Sequence, residues 1–147
     1  MKKMNNLWIT LLMCAVVEIY AAEDADHGEY GNNNLWRKTI CEKNDESLFS
    51  EIDKCVDLQT KTIHEALTSC MKKVHPSSEG KYSLYLKEAC NNVPLFLKID
   101  DCMEQHKSLY KEVGIGEKAL ACLEETMKKH NLRELLEYYI DTESTEK

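Results

Sequence analysis

Two phenylalanines, two tryptophans, two prolines and five glycines are all that 147 residues contain of these four types. No stretch sustains a period-two alternation of apolar and polar residues, which argues against a sheet as the main element. Cysteines in close C-x-x-C pairs are missing as well. The nearest two, Cys90 and Cys102, are twelve apart, so a thiolate zinc site has no clamp. His64 and Glu65 begin an H-E-x-x-H, but Thr68 stands where the second imidazole must be. Acidic calcium loops, phosphate-cradling glycines and a G-x-S-x-G elbow are absent, and no asparagine heads a glycosylation acceptor. Asp100 and Asp101 are neighbours that diverge by about 100° on a helix, which reads as a solvated face rather than a catalytic pair. These absences predict no catalytic residue, no metal, no cofactor and therefore no enzyme. The 26 acidic side chains exceed the 19 basic ones, for a net charge of −7. An acidic chain is a poor partner for nucleic acid or an anionic membrane.

Long apolar runs are limited to one. Lys2 and Lys3 precede the run at residues 7–17, and Tyr20, Ala21 and Ala22 follow it. This order is that of a secretory signal peptide, expected over residues 1–21. Glu18 ends the run well short of the roughly 20 residues that a membrane span needs. The signal carries Lys2, Lys3 and Glu18, a net +1, so the exported remainder stands at −8. It also carries Cys14, which leaves six cysteines: Cys41, Cys55, Cys70, Cys90, Cys102 and Cys122. An even number in an exported chain predicts three disulfides, formed where the surroundings are oxidising. Residues 22–40, rich in acidic side chains and asparagine, read as a flexible leader. Residues 41–141 read as one stapled helical domain, and 142–147 as a disordered tail.

Within that domain the apolar residues step by three and four. Leu48, Ile52, Cys55, Ile63, Leu67, Cys70 and Val74 mark one stripe between Asn44, a plausible N-cap, and Pro76, with a break expected near residues 58–62. Tyr82, Tyr85, Leu86 and Ala89 form a second stripe. A third starts at Pro94 and runs through Leu95, Ile99, Cys102, Met103, His106, Leu109 and Tyr110 to Val113, where Gly114 and Gly116 close it. Ala119, Leu120, Leu123 and Met127 make another, and Leu132, Leu135, Leu136, Tyr139 and Ile140 a last. The prediction is an all-α fold of five or six helices in one small domain cross-linked by three disulfides.

Cysteines fifteen residues apart on one straight helix are separated by about 22 Å, far beyond disulfide reach. Sequence neighbours are therefore poor partners. Of the five pairings that avoid them, the expectation here is first to third, second to fifth and fourth to sixth. His106, on an apolar stripe, is expected to pack in the core.

Six cysteines, several helices, a signal peptide and an acidic chain together resemble the insect odorant-binding proteins. That resemblance implies a small apolar ligand enclosed between disulfide-linked helices. It covers architecture only, because the intervals Cys55 to Cys70 and Cys102 to Cys122 replace that family's C-x3-C and C-x8-C. The chain is similar, equally loosely, to helical cysteine-rich proteins of arthropod venom and haemolymph. Two functions are thus expected of a secreted, soluble monomer without a membrane span. The first is a non-enzymatic interaction protein binding an extracellular macromolecule, a toxin among the possibilities, which needs a filled core and an exposed apolar patch. The alternative is a carrier of a small hydrophobic ligand, which needs a cavity of about 300 Å³ or more. Tyr82, Tyr85, Met103, Leu109 and Tyr110 are the candidate residues for the interface or the pocket. Few large aromatics and stripes of ordinary width favour a filled interior, and with it the first function.

Overall fold

A computed structural model describes residues 26–109 and 115–136. The expected signal peptide, the tail and Tyr110 lie outside the described residues. Six α-helices have their whole span within them: α1 Asn34–Lys43, α2 Glu46–Val56, α3 Lys61–Val74, α4 Tyr82–Asn91, α5 Pro94–Glu104 and α6 Glu117–Lys129. Short 3-10 turns at Pro76–Ser78 and Arg133–Leu136 complete the helical part. The only sheet among the described residues is a hairpin of β1 His27–Gly28 and β2 Gly31–Asn32, antiparallel, with His27 opposite Asn32. The fold is all-α.

The leader is a correction. Residues 26–40 are not flexible but form the hairpin and most of α1, where Trp36 and Ile40, one turn apart, are 6 % and 0 % exposed. The glycine and asparagines that read as disorder make turns instead. Gly31 and Asn33 both hold positive φ, and the Asp26 side chain accepts from Leu35 N–H at 3.1 Å. The cap of α2 is a second correction. Asn44 adopts the left-handed conformation that ends α1, and Asp45 is the N-cap, accepting from the N–H groups of Ser47 and Leu48.

The stripe from Leu48 to Val74 breaks after Val56, close to the expected residues 58–62, and α3 stops at Val74 ahead of Pro76. Helix α4 follows Lys81, which offers no capping oxygen. Asp53 of α2 supplies one, accepting from Tyr82 N–H at 3.0 Å and from Ser83 Oγ–H at 2.8 Å. Helix α5 starts on Pro94, but its stripe does not run unbroken to Val113. It ends at Glu104, a turn occupies Gln105 and His106, and helix resumes at Lys107. His106 is accordingly half-buried rather than a core residue.

Helix α2 packs against α4 and α6, while α3 packs against α5, which also meets β2. Each disulfide ties one helix to another: Cys41 on α1 to Cys90 on α4, Cys55 on α2 to Cys122 on α6, and Cys70 on α3 to Cys102 on α5, with Cα separations of 5.2, 5.4 and 5.7 Å. The order is first to fourth, second to sixth and third to fifth. This overturns the expected pairing while respecting the rule that no neighbours join. The reason is the reversal at residues 57–60, which sends Cys55 to α6 and Cys70 to α5. Three disulfides, and no helix among the described residues long and apolar enough to cross a membrane, are consistent with an extracellular protein.

Candidate functional site

The buried core is contiguous, and a half-open cleft lies beside it. Between the helices lies a cavity of about 650 Å³, within the range of small-molecule sites. Its apolar wall is built from Ile52 and Val56 of α2, Ile63 and Leu67 of α3, and Ile99 and Met103 of α5, with Leu123 of α6 and Ile115 beside them. In each pair the spacing is four, one turn apart on one face, so the stripes that build the core also line the void. Trp36, Tyr82, Tyr85 and Phe96 give it an aromatic end, and Asn32 and Asn33 of the hairpin border it.

The aromatic end is ordered by edge contacts. The Tyr85 ring stands edge-on to Phe96 with centroids 6.2 Å apart, and Tyr82 lies 5.9 Å from Tyr85. The Tyr85 hydroxyl donates to the carbonyl of Leu95 at 3.3 Å. Burial pushes both phenols above their ordinary value of 10.0, a rise that the Arg37 charge opposes. Tyr82 is half-buried and borders the cleft.

One ion pair fastens the hairpin beside the cavity. Arg37 donates to both carboxylate oxygens of Asp100, at 2.8 and 2.6 Å, and from Nη1 to the carbonyl of Tyr30 at 2.8 Å. Asp100 also accepts from Asn32 N–H at 2.8 Å. Burial pulls the Arg37 pKa down, but the Asp100 hydrogen bond and charge outweigh it, and the guanidinium is held above its ordinary value. At Gly31, with φ of 77°, an added Cβ would collide with that same carboxylate, so the hairpin crosses Asp100 only with glycine there. Asp100 is thus not part of a solvated face, although its neighbour Asp101 is exposed.

Of the five candidate residues, Tyr82, Tyr85 and Met103 come together in the cavity wall. Leu109 is half-buried but is not among the lining residues, and Tyr110 lies outside the described part. Sequence reasoning missed Trp36, Arg37 and Asp100. Trp36 was legible from its i, i+4 spacing to Ile40; the Arg37–Asp100 pair spans 63 residues and carried no local signal. His64 pairs with Asp57 at 3.2 Å on the surface. His106 approaches the sulfurs of Cys70 and Cys102, but these are bonded to each other and offer no thiolate for a metal. Comparison with family models, with curated proteins and with solved structures finds no match to this chain.

Proposed function

We propose that the protein is a secreted, non-enzymatic carrier of a small hydrophobic ligand. The observation that carries this reading is the cavity of about 650 Å³ walled by aliphatic side chains and closed at one end by four aromatic ones. A half-open cleft of that size leaves apolar side chains without the packing partners that a purely structural domain would supply. The architectural resemblance to odorant-binding proteins implies the same use. The alternative, an interaction protein of venom or haemolymph, calls for an exposed apolar patch. Leu35, Leu58, Leu84, Leu97 and Ile115 are the exposed large apolar residues, and they sit on α1, the α2–α3 turn, α4, α5 and the segment before α6. Such scattered side chains are ordinary surface.

The test is equilibrium binding of a fluorescent lipid analogue to the disulfide-intact chain lacking residues 1–21. Saturable, one-to-one binding near micromolar Kd, about −8 kcal/mol, is expected, with competition by unlabelled apolar ligand and a change in Trp36 emission. Absence of saturable binding, together with stoichiometric capture of an extracellular protein, would return the interaction-protein reading to first place.

A further inference from the structure

A thiolate clamp is missing from the sequence, where the nearest cysteines are twelve apart, but folding supplies one. Helix α3 brings Cys70 beside Cys102 of α5, and His106 follows Cys102 by four residues, one turn further on. Each side chain offers one donor atom, and the two sulfurs and the imidazole nitrogen all lie within 4.8 Å of one another. No other such trio of His, Cys, Asp or Glu occurs among the described residues. Both cysteines are buried, at 0 % and 8 % exposed. The backbone N–H and carbonyl of His106 are engaged by Met103 and Leu109 at 2.8 and 2.9 Å, while its ring has no hydrogen-bond partner among the described residues.

We infer that the dithiol form of this pair binds a zinc ion between Cys70 Sγ, Cys102 Sγ and the His106 ring. That form exists before the bridge closes, or after a small-molecule thiol opens it. In the opening, two RSH molecules become RS–SR, and their two electrons and two protons pass to the sulfurs of Cys70 and Cys102. Zinc then displaces both thiol protons and binds the thiolates. With Zn–S near 2.3 Å and Zn–N near 2.0 Å, tetrahedral angles set the sulfurs about 3.8 Å apart and each about 3.6 Å from the nitrogen. Those separations fall inside the observed 4.8 Å limit, and water completes the fourth position. Bridge and zinc are then mutually exclusive forms of one clip between α3 and α5, and the bound ion delays closure. This holds whether or not the cleft carries a ligand.

The test is oxidative refolding of the reduced chain lacking residues 1–21, in glutathione and glutathione disulfide, with and without zinc. Samples are quenched in acid and their bridges mapped by peptide mass spectrometry. With zinc at ten times its Kd, only the metal-free fraction can close, so formation of Cys70–Cys102 should slow about tenfold. A species with Cys41–Cys90 and Cys55–Cys122 closed and Cys70 and Cys102 still thiols should accumulate. Native mass spectrometry should find one zinc on it, and a chelator should let it proceed to three bridges. His106→Ala removes a ligand and should weaken zinc by at least about tenfold, since loss of even an outer-shell partner costs about 10 to 100-fold. The delay should then vanish, while the three-bridge form of the variant keeps its circular dichroism because the ring has no described partner. Closure of Cys70–Cys102 at one rate with and without zinc, or an equal zinc affinity in His106→Ala, would overturn the inference. So would zinc that delays all three bridges alike, because the ion would then be held by thiols of the unfolded chain.

Discussion

Helix α2 serves two unlike neighbourhoods. Where it packs against α4 and α6 the interior is solid: Leu48, Leu86, Ala89 and Met127 are all 0 % exposed. One turn further round, Ile52 and Val56 border the cavity, across which stand the half-buried Leu67 and Met103. The same three-and-four spacing produced both sides. Periodicity tells which residues leave the surface, but whether they then meet protein or empty space depends on how far apart the helices are held. Here the separation is fixed by covalent and polar clips as much as by packing: Cys70–Cys102 joins α3 to α5, and Arg37–Asp100 joins α1 to α5.

The largest way to break this contrast is to remove the staple of the solid side. Cys55–Cys122 closes a loop of 67 residues, for which chain entropy predicts about 4 kcal/mol of stabilisation. The double variant Cys55→Ala with Cys122→Ala should lower the unfolding free energy obtained from urea denaturation by that amount, a large share of the roughly 5 to 15 kcal/mol such a domain possesses. An unchanged midpoint would mean that helix packing alone sets the stability.

A finer probe compares one truncation on each side. Leu48→Ala leaves a hole in close-packed surroundings and should cost about 2 to 5 kcal/mol. Met103→Ala removes a side chain that already borders a void, creates little new cavity surface and should cost below about 1.5 kcal/mol. Equal costs in chemical denaturation would show that the cavity closes in solution and that the two sides are alike.

Much of the fold was legible and the site was legible only in part, for a physical reason. Helix periodicity, Pro76, Pro94 and the count of six cysteines are local signals, and they gave the all-α class, the end of α3, the start of α5 and three disulfides. Asp53 capping α4, Arg37 meeting Asp100 and Cys55 meeting Cys122 join residues 29, 63 and 67 positions apart. Such contacts are decided by the reversal at residues 57–60 and by the placing of α1, which composition had assigned to a leader. Tyr82, Tyr85 and Met103 were identifiable because each lies on an apolar stripe. That the stripes enclose space rather than fill it follows from a sum over whole helices, and no single residue carries it.

The smallest effect belongs to the outer edge of the solid side. Glu51 of α2 accepts from Lys129 Nζ at 2.6 Å and lies 3.4 Å from His130 Nε2. The Lys129 hydrogen bond, opposed by a little burial and aided by the Lys129 charge and by His130, holds the Glu51 carboxyl below its ordinary value of 4.5. A carboxylate depressed in the folded state binds its proton more readily when unfolded, so it contributes stability above 4.5 and loses that contribution as pH falls through the folded value. Because the Lys129 side chain is 65 % exposed, the contribution is modest and should shrink further in high salt. Glu51→Gln should therefore lower the urea midpoint slightly near pH 7, and its curve should converge on that of the unaltered protein as pH falls below 4.5 and through the folded value. Curves that stay parallel throughout this range would show that Lys129 and His130 hold Glu51 no more tightly than water does.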